Sequence, residues 1–348
     1  MLDARLPGLD PVLPEIRRRA DMLDVSGDWP TEDLRELDSA GFLARALPES
    51  FGGTAAPALD QHMGYEAIAR ASLAVALIVS QRDAAIGLID ASQSLARDAF
   101  LKRVASGEFT TVGIAQLTTS RQGGKPALLA VPDGGGYRID GSIPWCTGAA
   151  RAGFIVVGAV TEDSRHLLFA LPSESPGLEV DPPLTLVALR STWTTALHCQ
   201  GVHVPLSDVL AGPAQKVLSR NNHLALGQAF LAMGLCRSGI DLIAEHRSDA
   251  AASAAASFDA QLQALREQVL SLCQTGREPE AADAAAAIRA RCNDLAVRIT
   301  HAAVALYKGS ALLAGHPAQR LAREAMFLLV WSCPNPVIDC TVEMLARC

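Results

Sequence analysis

With 348 residues, 49% of them hydrophobic and only 19% charged, the chain can bury a large interior spread over two or three domains and is not a disordered segment. Its net charge of -7, with no long basic run, excludes nucleic acid or an anionic membrane as the main partner, because both need clustered Lys and Arg. Small molecules and other proteins remain.

No apolar run reaches the roughly 18 residues of a membrane span. The opening MLDARLPGLDP lacks the apolar core of a signal peptide, so the expected location is the cytoplasm. Cys146, Cys199, Cys236, Cys273 and Cys292 are scattered and several fall on apolar periodic faces, which suits buried small hydrophobes. No CxxC pair or His/Cys cluster has metal spacing, and no structural metal is expected.

From Pro14 to about Gly107 the pattern is helical. Leu34, Leu37 and Phe42, then Ile68, Leu73, Leu77 and Ile78, recur at three- and four-residue steps. Between them Pro48-Glu49-Ser50-Phe51-Gly52-Gly53 reads as a loop. Arg82 and Asp83 follow an apolar face and could be a functional pair at a helix end, but a solvated ion pair is the expectation.

From about Val112 to Leu210 the period changes to two. Phe154 to Val160, His166 to Leu171 and Leu197 to Val204 read as strands, with hairpin signals at Asp133-Gly134 and Asp140-Gly141. No crossover helices are visible, which favours a mainly antiparallel barrel or sandwich. The glycines Gly134 to Gly136 lack the strand-to-helix context of a dinucleotide fingerprint.

Within this region the stretch Gly113 to Thr147 carries the ligand-binding signal. A strand ending in Thr118, Thr119 and Ser120 would offer donors to a polar ligand. A second strand ends at Pro144, Trp145, Cys146 and Thr147, placing a large flat side chain beside a hydroxyl. That pairing suits a flat, polar-edged cofactor. The bland alternative is a core tryptophan beside ordinary turn residues.

After Pro213 the chain is helical again. Leu262, Leu265, Val269 and Leu272 mark one amphipathic helix, and Ile288, Cys292, Leu295 and Ile299 another, joined by Gln274 to Asp283. With helices expected near 220–247 and 296–330 this makes a four-helix bundle. Ala250 to Ala256 either lets helices approach closely or forms an exposed loop. Pro334-Asn335-Pro336 breaks the last helix, and a short one follows.

The order of these parts resembles the acyl-CoA dehydrogenase superfamily. PESFGG at 48–53 is similar to that family's P-E-x-Y-G-G loop, ASGEFTTVGIAQLTTS to the segment entering its flavin strand, and GYRIDGSIPWCTGA to its G-Y-x-L-N-G-x-K-x-W-I-T-N stretch. LRSTWTTALHCQGVHVPLSDVL resembles the strand pair closing its β domain, and QRLAREA at 319–325 its R-x-x-R-D-A helix end. The resemblance implies an α+β fold with an N-terminal all-α domain over 1–110, a middle antiparallel β-barrel or sandwich domain over 111–212 and a C-terminal four-helix bundle over 213–348.

It also implies FAD. The family's flavin strand falls on Ala115, Gln116, Leu117 and Thr118, and the residues flanking the other side of the ring on Trp145, Cys146 and Thr147. The arginine that reaches the FAD pyrophosphate of a neighbouring subunit falls on Arg247, though the Q-F-G that usually follows is replaced by Ser248, Asp249 and Ala250. A homodimer or homotetramer and an acyl thioester substrate are implied with it.

The chain departs from the family where a carboxylate removes the substrate's α proton. The two positions used for that Glu fall on Ser332 and about Asn221, next to Asn222 and His223. Neither serine nor asparagine can act as the base. His223 or Glu343 could substitute, against bland readings as exposed residues. Three functions stay open: an FAD-dependent oxidoreductase of acyl-CoA dehydrogenase type, a flavin monooxygenase of the same fold that needs no carboxylate base, and a non-catalytic binding module.

Overall fold

The structure, a computed structural model, describes residues 8–118, 126–218, 222–275, 280–331 and 333–346. The N-terminal part is helical: α1 (Leu13–Ser26), α2 (Thr31–Ser39), α3 (Ala58–Ala71), α4 (Leu73–Asp90) and α5 (Arg97–Ala105). Ser72 caps α4 by accepting from Val75 N at 3.4 Å, and that helix is apolar on nearly every side. The reason is its position. Leu73 to Leu77 pack in one core with α3 and the C-terminal helices, while Ala85, Ile86 and Ile89 pack against the sheet.

Arg82 and Asp83 sit where α4 passes from one core to the other, and both are buried. The expected solvated pair is therefore corrected. Arg82 Nη1 donates to Asp83 Oδ1 at 2.7 Å and to Leu43 O at 2.9 Å, while Asp83 Oδ2 accepts from Gln61 Nε2 at 2.6 Å and Tyr65 OH at 2.8 Å. Burial raises the Asp83 carboxyl above its usual range, against the opposing pull of Arg82 and the two neutral donors.

The middle part is one sheet of eight strands: β1 (Thr110–Gly113), β2 (Leu128–Asp133), β3 (Gly136–Cys146), β4 (Phe154–Thr161), β5 (His166–Pro172), β6 (Leu178–Val180), β7 (Thr195–Pro205) and β8 (Val209–Ala214). A short helical turn, α6 (Ala115–Thr118), lies between β1 and β2. The main path is β6-β7-β3-β2-β4-β5-β8, with β1 beside β4. The expected antiparallel pairing holds for most neighbours. Two are parallel, β1 with β4 and β2 with β4, so the sheet is mixed.

Gly134 and Gly135, both at positive φ, make the two-residue hairpin between β2 and β3. Asp140-Gly141 is not a hairpin. Gly141 lies inside β3 at a register shift, where the strand bulges against β7.

The C-terminal part has α7 (Asn222–Glu245), α8 (Asp249–Thr275), α9 (Glu280–Tyr307), α10 (Pro317–Val330) and α11 (Asn335–Leu345). α7 to α10 form the four-helix bundle and α11 packs on α9. The alanine tract lies in the first turns of α8, with Ala251 and Ala255 buried against the bundle. The helix expected over 296–330 is two helices. Lys308 adopts φ 54 and Gly315 φ 81, and Pro317 then starts α10, so the α-helix stops after Tyr307 and a 3-10 segment, Lys308–Leu312, leads to the next one.

Candidate functional site

The two segments singled out in the sequence are brought together by β1 and the end of β3. Thr111 Oγ1 donates to Thr147 O at 2.7 Å, and Cys146 Sγ to Val112 O at 3.4 Å. Cys146 is buried, which pushes its thiol up to about 12, so it packs and does not react. Strand alternation then turns Trp145 to the other face, where it is 56% exposed. The core-aromatic alternative is thereby corrected. Thr147 is half-buried beside it.

Ala115 to Thr118 form a helical turn where a strand was expected. The cause is competition for the edge of β4. β1 pairs with it from Phe154 to Val157 and β2 takes the same edge at Val160 and Thr161, leaving no stretch for a further strand. Gln116 fills the interval: its Nε2 donates to Gly113 O at 2.7 Å and Gly158 O at 2.6 Å. Leu117 lies on Gly158, where an added Cβ would stand 2.3 Å from Leu117 Cδ1. The side chain of Thr118, and Thr119 and Ser120 altogether, lie outside the described residues.

These residues fit a flat group with a polar edge. Trp145 presents an open aromatic face, Thr147 a hydroxyl, and Gln116 Oε1 is a buried acceptor with no hydrogen-bond partner among the described residues. An exposed indole next in sequence to a hydroxyl, and an acceptor left unpaired in the turn after β1, are features that an isoalloxazine ring, which carries both donors and acceptors on its rim, would suit.

Arg247 is exposed in the turn joining α7 to α8, and none of the contacts that converge on Thr147 involves it. Ser332 and Asn221 lie outside the described residues, as do the side chains of Asn222 and His223 in α7. Glu343 is exposed on α11 and does not point inward. Arg289, buried on α9, donates to Trp331 O and, at 3.3 Å, to Cys333 Sγ, so a guanidinium grips both neighbours of position 332. Among the described residues each buried carboxylate faces an arginine: Asp24 pairs with Arg323, Asp33 with Arg19 through Oδ1, Asp83 as above, and Glu324 with Arg320, which also holds Asp21.

Two polar arrangements escaped the sequence reading. Behind Thr147, Thr192 and Thr194 form a hydroxyl chain whose only advance signal was the hydroxyl-rich run Ser191 to Thr195. On the outer face of the sheet, Ser142 Oγ lies 2.8 Å from His198 Nδ1, and His198 Nε2 3.1 Å from Asp181 Oδ2. The order matches a nucleophile, base and orienting acid. Ser142 N is committed to Ala127 O, however, and cannot serve as an oxyanion donor, so the trio reads as a cross-strand link.

Residues 12–108 match the model of the acyl-CoA dehydrogenase N-terminal domain. A probable acyl-CoA dehydrogenase of Bacillus subtilis, YngJ, is 25% identical over 65% of this chain, which spans 63% of that protein. Among solved structures, butyryl-CoA dehydrogenase from Megasphaera elsdenii superposes with a TM-score of 0.83 at 20% identity, over 98% of this chain and 97% of that one. Dibenzothiophene monooxygenase TdsC from Paenibacillus sp. A11-2 superposes with a TM-score of 0.81 at 16% identity, over 98% and 96%.

Proposed function

The chain belongs to the acyl-CoA dehydrogenase superfamily, and from that premise we propose that it is an FAD-dependent oxidoreductase acting on an acyl thioester or a related small molecule. The observation that supports this reading is the junction of β1 with β3, where Thr147 and the exposed Trp145 lie at the end of β3 and Gln116 lies in the turn that follows β1. Bound there, the flavin supplies a hydride acceptor. Trp145 would cover one face of the ring and keep water from it. Thr147 and Gln116 would hold its polar edge, and Leu117, seated on Gly158, would fix the turn that carries Gln116.

Arg247, exposed at one end of the bundle, would reach the pyrophosphate bound by a second copy, which makes a homodimer or homotetramer the working unit. Titration of the purified protein with FAD tests the reading. A visible flavin band that survives gel filtration, and bleaches on anaerobic addition of an acyl thioester, is expected. Protein that stays colourless at saturating FAD overturns it.

A second reading is a flavin monooxygenase of the same fold. Serine and asparagine at positions 332 and 221, where a carboxylate base would be needed, favour it, as does the fold shared with TdsC. Oxygen consumption by the reduced flavoprotein in the presence of substrate, without bleaching by acyl thioesters, decides for it.

A further inference from the structure

We infer that Thr192 and Thr194 are positioning residues that fix the Thr147 hydroxyl as a hydrogen-bond acceptor toward the group bound at Trp145, an inference that rests on the flavin reading above. A hydroxyl has one hydrogen to donate. Thr192 Oγ1 donates its hydrogen to Leu189 O at 2.8 Å, so it can only accept from Thr194 Oγ1, which also lies 2.8 Å away. Thr194 has then spent its hydrogen and can only accept from Thr147 Oγ1 at 3.3 Å. What Thr147 has left for a ligand is lone pairs.

The segment holding this chain is strained and braced. Leu189 at φ 59 and Trp193 at φ 45 are non-glycine residues in the left-handed region, on either side of a single 3-10 turn. The helical N-terminal part keeps them there. Arg190 Nη1 donates to Val25 O at 2.9 Å and Trp193 Nε1 to Gly27 O at 3.0 Å, with Trp29 packed 5.8 Å from Trp193 and 5.5 Å from Phe109. The same turn grips the backbone after Thr147, since Gly148 N donates to Thr192 O at 3.0 Å. Thr192 is fully buried and Thr194 nearly so, which shields the chain from competing water.

An acceptor at Thr147 favours a bound ring that offers an N–H over one that presents a bare nitrogen. A flavin ring gains such an N–H on reduction, so the chain should raise the potential of bound FAD. Replacing Thr194 by valine frees the Thr147 hydrogen to donate outward and reverses the preference. At a fixed applied potential the reduced-to-oxidised ratio should fall roughly three- to tenfold, the scale of one net hydrogen bond.

The experiment is a dye-equilibrated reductive titration of the FAD-loaded protein, with a melting curve for each variant. Thr194→Val and Thr192→Val should both shift the midpoint to more negative values, since removing either link turns the next hydroxyl outward, while Thr194→Ser keeps the wild-type value. Thr147→Val combined with Thr194→Val should shift no further than Thr147→Val alone. Bound FAD with an unchanged midpoint in Thr194→Val and Thr192→Val overturns the relay and leaves the flavin reading standing. Wild-type protein that takes up no FAD overturns both.

Discussion

Gln116 Nε2 donates to Gly158 O at 2.6 Å, so a side-chain amide stands where a neighbouring strand's N–H would otherwise pair with β4. The same nitrogen reaches Gly113 O at 2.7 Å and thus closes the fork between β1 and β2. Gln116→Leu would keep the bulk and leave both carbonyls without their donor. A loss of about 1–3 kcal/mol in stability is expected from buried groups left unpaired. A lowered melting temperature together with weakened FAD uptake checks it, and an unchanged melting temperature would show that Gln116 does not hold the fork.

Gly158→Ala approaches the same turn from below. The added methyl meets Leu117 Cδ1 at 2.3 Å, so Leu117 must swing away and carry α6 with it or repack. FAD affinity should fall about tenfold, equivalent to about 1.4 kcal/mol. Leu117→Ala in the Gly158→Ala background makes room for the methyl and should recover part of the loss; equal affinities in the single and double variants would break the link between the two residues.

Trp145→Ala separates binding from folding. The indole is more than half exposed, so its removal should change the melting temperature of the FAD-free protein little, within about 0.5 kcal/mol. FAD affinity, measured by equilibrium dialysis, should fall tenfold or more if the ring rests on Trp145. The pattern excludes a core role, for which truncation of a buried aromatic would cost about 3–5 kcal/mol.

What the sequence disclosed and what it hid divide along a physical line. The helical, β and helical order, the β4, β5 and β7 strands and the Trp145-Cys146-Thr147 strand end were legible because each follows from local periodicity and turn residues. The turn at Ala115 to Thr118 was not, because it depends on β2 occupying the edge of β4 more than 10 residues further along the chain. Asp83 looked solvated because the groups that satisfy it, Gln61 and Tyr65, come from another helix 22 and 18 residues away. Thr194 carries no local signal of its role, which arises only when the fold sets it between Thr147 and Thr192.

Asp83→Ala should be among the most damaging substitutions in the chain. It leaves the buried Arg82 guanidinium without its carboxylate and removes the acceptor for Gln61 and Tyr65, at the point where the two cores meet. Breaking one side of such a pair costs about 3–5 kcal/mol. Replacing Arg82 as well, in an Arg82→Met and Asp83→Leu double variant, should recover much of that loss. Thermal melting of the three proteins measures it, and a double variant no better than Asp83→Ala would show that the pair contributes more than mutual neutralisation.

The Arg103 and Glu108 pair sets a pH dependence whose sign follows from the direction of the shift. Arg103 donates to both Glu108 oxygens, at 2.7 and 2.5 Å, and to Gly153 O at 3.2 Å, tying the end of α5 to the start of β4. The hydrogen bond from Arg103 is the largest influence and holds the Glu108 carboxyl below its usual range. A depressed folded-state value means that the pair's stability is fully present above the unfolded carboxylate value, about 4.3, and is lost as pH falls through the folded one. Because both side chains are about one-third exposed, solvent screening limits the contribution to under about 1 kcal/mol. Glu108→Gln should therefore melt a few degrees below wild type at pH 7, and the gap should close as the pH is lowered below about 4.3. A gap that stays constant across that window would assign the loss to packing around Gly153 instead of to the charge on Glu108.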